Sequence, residues 1–554
     1  MEKAKQTVGK IPVGKTSSPE REPNTTTTFS AWLQEGVVMN PFDFVVADHI
    51  KGTKTIGVVT EIRAPSDAAS HLSNYVSSDF GKPEVEPYVS RLSSMVAEVN
   101  VLRNTGYSEG TNETEVNMPV PGDMRVYFAD TKDIATALGV DQIKGLAIPA
   151  GIIHQSNGTD APVPLDSDYL LGPEGAHVNA SGISGLATKT SYLMFLMSSV
   201  RQLLKKKVGF LIFNVKQADL LHIDQEAKDL TSDDRRLYKM LDLTAEPFDN
   251  VRYLLPRGEK GKPDSDKPPK DFDLYSYTLD DVHNRLDILF SDVQDPWFTI
   301  DTFTSKVRDE WYKGQLHIEA APRPRAGGET QALVRNWEEL KNVDPDLLGR
   351  AYDLHSSTPP RIRRELTRLT SSSIFPNQKG PNEVYLGDTV NEIKGGDVYV
   401  VDIFRLHSRW QPFVVGDVMR SVDQMYREGL NGKMPEKLVI FIDELNSIAP
   451  SGSNTAITQL IVEIARKGRS RGTILFGAEQ FKSEIHDQIV GNCGTHAIGR
   501  TGSAEIRKSA YGFLDDQSKQ NVMALGKGEI VITTPTWRSP IKIKFPRPPY
   551  LRPS

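Results

Sequence analysis

The sequence predicts an α/β protein whose main sheet is largely parallel and is preceded by a small β-rich domain. Residues 398–406 (VYVVDIFRL) and 437–445 (KLVIFIDEL) are apolar along most of their length, as strands buried on both faces are. An amphipathic segment at 456–472 separates the second run from a third, TILFGAEQ at 473–480. Buried strands that alternate with helices are typical of a parallel sheet covered by helices.

Composition sets outer limits on the class of protein. A chain of 554 residues is long enough for roughly three domain-sized units. A net charge of -6 gives no overall nucleic-acid signature, and the single cysteine, Cys493, excludes an internal disulfide and a cysteine-rich metal site. No run has the character of a signal peptide or a membrane span, which favours a cytoplasmic protein that does not enter the membrane.

Two stretches resemble the loop that holds phosphate groups. GKIPVGKTS at 9–17 matches the phosphate-loop pattern in every position, whereas GISGLATKTS at 182–191 has Thr188 in place of the glycine before Lys189. The second stretch has the better context, because an apolar run precedes it and an amphipathic helix follows it. We therefore predict that the second loop binds phosphates through Gly182, Gly185, Ala187, Thr188, Lys189, Thr190 and Ser191.

Two carboxylates come at the end of a predicted strand. Asp443 and Glu444 close the run KLVIFIDEL, and ligands of open α/β sheets bind at the carboxyl ends of the strands. There an aspartate can hold magnesium and the next residue can activate an attacking water. An acidic pair is common after strands, so the interpretation depends on its combination with Lys189.

Other polar residues near these strands have more than one interpretation. Gln480 either hydrogen-bonds a γ-phosphate or its attacking water, or is an ordinary loop residue. The basic turn that contains Arg466 and Arg469 is a solvated helix end, a DNA contact, or a set of charges that reach a neighbouring subunit's phosphate. A basic segment at 361–369 either contacts nucleic acid or forms a solvated helix face.

Composition also predicts how the chain divides into domains. Residues 1–30 are predicted to be a disordered tail, and the short β-rich pieces of residues 31–170 to be a small barrel or sandwich. Residues 171–554 then form the nucleotide-binding domain. This domain includes a mainly helical insertion at about 225–390 and a C-terminal hairpin and tail at 526–554.

The order of these motifs resembles the HerA-like ATPases of the HerA and FtsK superfamily. The most specific pieces are FIDELNSIAP at 441–450 and RKGRSRG at 466–472, the latter leading to a strand that ends in glutamine. The resemblance extends over nearly the whole chain except the N-terminal tail and parts of the insertion. It implies a RecA-like P-loop ATPase core and a small barrel, similar to the HAS barrel of that family, that caps a hexameric ring.

The resemblance also implies roles for the candidate residues. ATP and Mg²⁺ would be the cofactors, with Lys189 on the β- and γ-phosphates and with Thr190 and Asp443 serving the metal. Glu444 would be the general base, and Gln480 would sense the γ-phosphate.

In the same resemblance, Arg466, Arg469 or Arg500 would act on the nucleotide of a neighbouring subunit. HerA-like proteins usually have glycine directly before the lysine, whereas this chain has Thr188. A side chain there restricts the backbone that must surround the phosphates, so affinity or rate is expected to differ from the family's.

The expected function is that of a homo-hexameric ring motor on double-stranded DNA. Such a motor holds DNA phosphates with basic and polar side chains, and its binding weakens as salt rises. The resemblance implies a separate partner, either a NurA-like nuclease or another effector, including one used in anti-phage defence. Two alternatives stay open: a nucleotide-bound scaffold that displays a partner enzyme, and a conjugation-type pump that needs a membrane partner.

Overall fold

The computed structural model describes residues 10–84, 92–109, 112–183, 188–216, 219–293, 299–322, 329–429 and 434–552. The chain has two main parts, a closed antiparallel barrel and a thirteen-stranded sheet with helices on both faces.

The barrel is formed by strands from the first quarter of the chain. They occur in the order β1-β2-β5-β4-β3-β8 around the barrel, while β6 and β7 form a separate hairpin. Alternate side chains of β2, β3 and β5 point inward and form an apolar core that includes Phe29, Val45 and Val99. The elements of this part are β1 (Gly14–Ser17), β2 (Thr28–Leu33), β3 (Phe44–Asp48), β4 (Lys54–Arg63), α1 (His71–Ser77), β5 (Met95–Asn104), β6 (Tyr107–Glu109), β7 (Asn112–Thr114), β8 (Arg125–Phe128) and α2 (Thr131–Ala137).

The prediction of a disordered tail over residues 1–30 is wrong for its described part. Strand β1 pairs with β2 and with β8 and closes the barrel, and Gly14 lies so close to β2 that a Cβ atom would be 2.0 Å from the Trp32 carbonyl oxygen. The strand is only four residues long and mostly polar, so it carries too little alternation to be recognised. Residues 1–9 lie outside the described residues.

The remaining strands, apart from one short hairpin of β15 and β16, form the large sheet. They are β9 (Ala147–His154), β10 (Asp160–Asp166), β11 (Val178–Ser181), β12 (Val208–Asn214), β13 (Val251–Pro256), β14 (Asp273–Tyr275), β15 (Leu316–Glu319), β16 (Gln331–Val334), β17 (Glu383–Val384), β18 (Val398–Asp402), β19 (Lys437–Asp443), β20 (Thr473–Glu479), β21 (Thr495–Ile498), β22 (Glu529–Thr533) and β23 (Ile541–Lys544).

Helices cover both faces of this sheet. They are α3 (Ser167–Leu170), α4 (Thr188–Leu204), α5 (Ser232–Met240), α6 (Leu279–Val282), α7 (Leu286–Leu289), α8 (Thr299–Glu310), α9 (Trp337–Asn342), α10 (Pro345–Ala351), α11 (Thr358–Thr370), α12 (Leu386–Val390), α13 (Trp410–Glu428), α14 (Leu445–Ile448), α15 (Ala456–Arg471), α16 (Asp487–Asn492), α17 (Ser503–Ile506) and α18 (Asp516–Met523). Among the described residues, none of these helices combines the length and the apolar character needed to cross a bilayer.

The strand order of the sheet defines the fold. It runs β10-β9-β23-β22-β21-β11-β20-β19-β12-β18-β13-β14-β17, and the nine strands from β21 to β17 are parallel. Strand β20 therefore lies between β11, which leads into the second candidate loop, and β19, which ends at Asp443. This arrangement is RecA-like. The predicted fold class, a RecA-like core preceded by a small barrel, is confirmed.

The boundaries between the parts differ from the predicted ones. Strands β9 and β10 fall within residues 31–170, yet β9 pairs with β23 of the large sheet and β10 pairs with β9 at its edge, so neither belongs to the barrel. The predicted helical insertion supplies β13, β14 and β17 to the same sheet, in addition to its helices. Strands of two or three residues, such as β14 and β17, are too short for a period of two to be visible in the sequence.

Two apolar cores hold the helices against the sheet. Helix α4 is buried from Thr188 to Arg201, apart from the partly buried Thr190, on the face that continues toward the barrel. Helices α13 and α15 pack on the opposite face, together with the helices of the insertion. Because both faces are covered, the central strands present polar groups mainly at their ends, and the carboxyl ends carry the site.

Candidate functional site

The second candidate loop begins between the ends of two neighbouring strands. The Gly182 N–H donates to the Glu479 carbonyl at 3.3 Å, and the Ile183 N–H donates to the Arg500 carbonyl at 2.8 Å. A Cβ atom at Gly182 would lie 3.2 Å from the Gly499 Cα, so the close approach favours glycine. Residues 184–187, which include the predicted phosphate-binding residues Gly185 and Ala187, lie outside the described residues.

The first turn of α4 brings the loop residues to the acidic pair. Lys189 Nζ lies 3.3 Å from Glu444 Oε1, and the Thr190 hydroxyl donates to Asp443 Oδ2 at 3.1 Å. Thr188, Lys189 and Ser191 are buried. The N-terminal end of a helix has free N–H groups and a positive dipole end, which favour a bound anion. The structure thus joins four predicted residues that are some 250 positions apart in sequence.

Glu444 adopts a backbone conformation that is uncommon for a residue with a side chain. Its φ is 61° and its ψ is 50°, in the left-handed region, and it is the residue before α14. Such a conformation costs of order 1–3 kcal/mol and recurs at functional sites as well as in turns. The turn directs the carboxylate toward two lysines, Lys189 and Lys216, instead of continuing the strand.

Asp443 has one carboxylate oxygen that is available to a cation. The residue is 4% exposed, and Oδ1 has no hydrogen-bond partner among the described residues. Burial raises the pKa of this carboxyl, and the nearby Lys216 and Lys189 act in the opposite direction. A buried oxygen without a partner is costly unless a ligand satisfies it. Hard oxygen donors such as this carboxylate and the Thr190 hydroxyl suit Mg²⁺, so the residues present fit that ion.

Lys216 is a member of the site that sequence analysis missed. It follows β12, and its ammonium group contacts Glu444 Oε1, the same oxygen that lies near Lys189. Burial lowers the pKa of Lys189 and lowers the pKa of Lys216 to about 8, with repulsion between the two lysines contributing to the second shift. The available signal was its position two residues after a fully buried strand of the same sheet.

Glu479 is a second residue that was missed, and it is fully buried. Neither of its carboxylate oxygens has a hydrogen-bond partner among the described residues. It ends β20 opposite Ser181 of β11, and the charge of the buried Lys482 acts on it. Burial raises the pKa of Glu479 to about 8 and lowers the pKa of Lys482 to about 8. In the sequence, Glu479 reads as the polar end of an apolar strand beside the more exposed Gln480.

These shifts predict a pH-dependent stability that Glu479→Gln should reduce. Between its ordinary pKa of 4.5 and about 8, Glu479 keeps a proton in the folded chain that it has released in the unfolded chain. The free energy of unfolding therefore falls as pH rises through this window. Lys482 has the opposite effect, but only above about pH 8.

Melting temperatures at pH 5 and pH 8 check this expectation. The wild-type chain should lose more stability than Glu479→Gln over this interval, because glutamine has no proton to release. An equal fall in melting temperature for the two chains would show that the Glu479 carboxyl does not titrate between pH 5 and pH 8.

The predicted arginines lie at different edges of the sheet. Arg466 and Arg469 are exposed near the end of α15, which precedes β20 and therefore lies at the edge opposite to Lys189. Arg469 Nη1 donates to the Glu174 carbonyl at 2.8 Å, and both arginines line a cavity of about 610 Å³. Arg500 is exposed after β21, next to the start of the loop. The structure does not bring Arg466 or Arg469 to the site of their own chain.

Gln480 lies where the sequence predicts, directly after β20 at the edge that carries the acidic pair. It is partly buried. Its neighbour Glu479 accepts the hydrogen bond that holds the start of the loop. A change in the position of β20 therefore moves both Gln480 and the loop.

The first candidate loop has no such surroundings. Residues 14–17 are strand β1, whose backbone groups pair with β2 and β8, and no helix follows them. Lys15 is exposed on the barrel, while Thr16 is buried and donates to the Pro121 carbonyl at 2.5 Å. Amides that are bonded within a sheet cannot surround a phosphate, so the complete motif is a chance match.

No protein-family model matches the chain, and no curated protein does so. Among solved structures, the bacterial conjugative coupling protein TrwB in its unbound form is 11% identical, with 74% of this chain and 93% of that chain covered and a TM-score of 0.43. VirB4 of Thermoanaerobacter pseudethanolicus is 13% identical, with 72% and 96% covered and a TM-score of 0.43. TrwB in complex with ADP and Mg²⁺ is 10% identical, with 77% and 94% covered and a TM-score of 0.43. At these values the similarity does not assign a function to this chain.

Proposed function

We propose that this chain binds ATP with Mg²⁺ and hydrolyses it. The observation that carries the proposal is the convergence of Lys189, Thr190, Asp443 and Glu444 at the carboxyl edge of a RecA-like sheet. Residues from two distant segments supply a cation for phosphates, a hydroxyl and a carboxylate for the metal, and a second carboxylate for a water.

Each side chain has a role that follows from its position. Lys189, at the first turn of α4, would neutralise the β- and γ-phosphates. Thr190 and Asp443 would hold Mg²⁺, which when bound neutralises charge on the phosphates. Glu444 would accept the proton of the attacking water, and Gln480 would orient that water or the γ-phosphate. Lys189 lies against Glu444 in the nucleotide-free chain, so phosphate binding must separate this pair.

We propose that the chain assembles head to tail into a ring, with six subunits as the resemblance implies. Arg466 and Arg469 lie at the opposite edge of the sheet from Lys189, beside an open cavity, and cannot act in their own chain. If the edge that carries Arg466 and Arg469 packs against the carboxyl edge of a neighbouring subunit, the arginines reach the neighbour's nucleotide. Repeating the same contact from subunit to subunit closes a ring. This favours Arg466 or Arg469 over Arg500 as the residue that acts between subunits.

We further propose that double-stranded DNA is the polymer on which the ring acts. A nuclease or another effector as partner, and a part in anti-phage defence, stay predictions from the resemblance. The scaffold alternative keeps the same site but requires that bound nucleotide is not turned over.

ATP hydrolysis by the purified chain, with and without duplex DNA over a range of salt, tests the proposal. We expect DNA to stimulate phosphate release, and the stimulation to fall as salt rises, because binding releases counterions from DNA. Lys189→Ala and Glu444→Gln should abolish the stimulation by DNA. Equally low release in every sample, with nucleotide still bound by the unmutated chain, would instead support the scaffold.

A further inference from the structure

Two lysines share one carboxylate oxygen at the site. Lys189 Nζ lies 3.3 Å from Glu444 Oε1, and the Lys216 ammonium contacts the same atom. They come from different elements, Lys189 from the first turn of α4 and Lys216 from the segment after β12. The Lys189 side chain is 7% exposed and the Lys216 side chain 34% exposed. Lys216 thus has more freedom to move, and its stem is long and flexible.

The electrostatics of this cluster favour an incoming anion. With Asp443 and Glu444 ionised and both lysines protonated, the charges of the four side chains cancel. The lysines repel each other, and burial and this repulsion both lower the pKa of Lys216. A group of phosphates between the lysines would relieve the repulsion. A purely structural ion pair with Glu444 needs only one lysine. Placing the second lysine there costs free energy, because it must be partly buried beside a like charge.

The position of Lys216 also links it to the reacting carboxylate. While Lys216 contacts Glu444, that carboxylate is engaged by two cations and is a poor proton acceptor. A triphosphate offers Lys216 a stronger partner, because its terminal phosphate carries more charge than one carboxylate. A diphosphate has no γ-phosphate, and its last group is the β-phosphate, which Lys189 already binds in the proposed arrangement.

We propose that Lys216 is a second phosphate-binding lysine, which contacts Glu444 in the nucleotide-free chain and transfers to the terminal phosphate of a bound triphosphate. This transfer frees Glu444 for the water only when the γ-phosphate is present. The inference rests on the proposed function, since it names a further residue of the same site.

Binding of fluorescent ADP and of fluorescent adenylyl imidodiphosphate, a non-hydrolysable triphosphate, tests this role. Lys216→Ala should weaken triphosphate binding about tenfold and leave ADP binding within about twofold, so that the preference for the triphosphate is lost. Lys216→Arg should restore part of the preference for the triphosphate. The matched control is Lys207→Ala, which removes an exposed lysine directly before β12, at the opposite edge of the sheet.

The outcomes separate this inference from the proposed function. Equal losses for both nucleotides, or no loss, in a Lys216→Ala chain that melts like the wild type would overturn the role of Lys216 alone. A wild-type chain that binds neither nucleotide would overturn the proposed function and the inference with it. An effect of the same size in Lys207→Ala would show that the change reflects net charge and not the site.

Discussion

Lys189→Ala is expected to remove nucleotide binding, with affinity falling by a factor of 100 or more. The ammonium group is buried at the start of α4 and is more enclosed than that of Lys216, the other lysine that contacts Glu444. Its loss leaves Asp443 and Glu444 facing the phosphates with only Lys216 to offset them, so repulsion is added to the lost attraction. Equilibrium binding of a fluorescent ATP analogue measures the effect.

The sequence provides a matched control for this variant. Lys15→Ala changes the lysine of the complete motif in the same way, but that lysine is exposed on barrel strand β1. We expect its nucleotide affinity to equal that of the wild type. Loss of binding in Lys15→Ala, with binding retained in Lys189→Ala, would reverse the assignment of the two loops.

Glu444→Gln is expected to slow hydrolysis by a factor of about 100 to 10,000, the range usual for a general base, while nucleotide stays bound. Glutamine is nearly isosteric but cannot accept the proton of the water. It also carries no charge to attract Lys189 and Lys216, so the affinity for ATP should be unchanged or higher. Single-turnover hydrolysis, measured beside binding, separates these two effects.

An exposed acid serves as the control for this substitution. Asp516→Asn removes one negative charge from a side chain that is 97% exposed on α18. It should leave the single-turnover rate and the affinity for ATP unchanged. If Glu444→Gln lowered binding and melting temperature together, the carboxylate would be needed for the left-handed turn and not for the water. Normal turnover in Glu444→Gln would favour another base.

The parts of the site that could be predicted lie on long, regular elements. Strands β19 and β20 are seven residues each and apolar between their two end residues, so their carboxyl ends, and the residues that follow them, could be located from the sequence. The helix after Lys189 was visible from its apolar spacing. The second candidate loop was preferred over the complete motif because a buried strand precedes it and a helix with free N–H groups follows it, and the structure confirms these two flanking elements.

The parts that could not be predicted depend on tertiary contacts. Lys216 and Glu479 are single residues beside apolar runs, and only the order of strands brings them to Lys189 and Asp443. Strand β1 is recognisable only once β2 and β8 surround it.

Helix α15 and strand β20 have a mechanical consequence for the proposed ring. The strand is seven residues long, about 20 Å, and is bonded to β11 on one side and β19 on the other, so it is a stiff connection between the two edges of the sheet. Arg466 and Arg469 lie in the last two turns of the helix that precedes it, and Gln480 lies directly after its last residue. In the proposed ring, a displacement of β20 at one nucleotide would therefore reach the adjacent subunit's nucleotide along a single element, and the subunits would hydrolyse ATP in sequence around the ring.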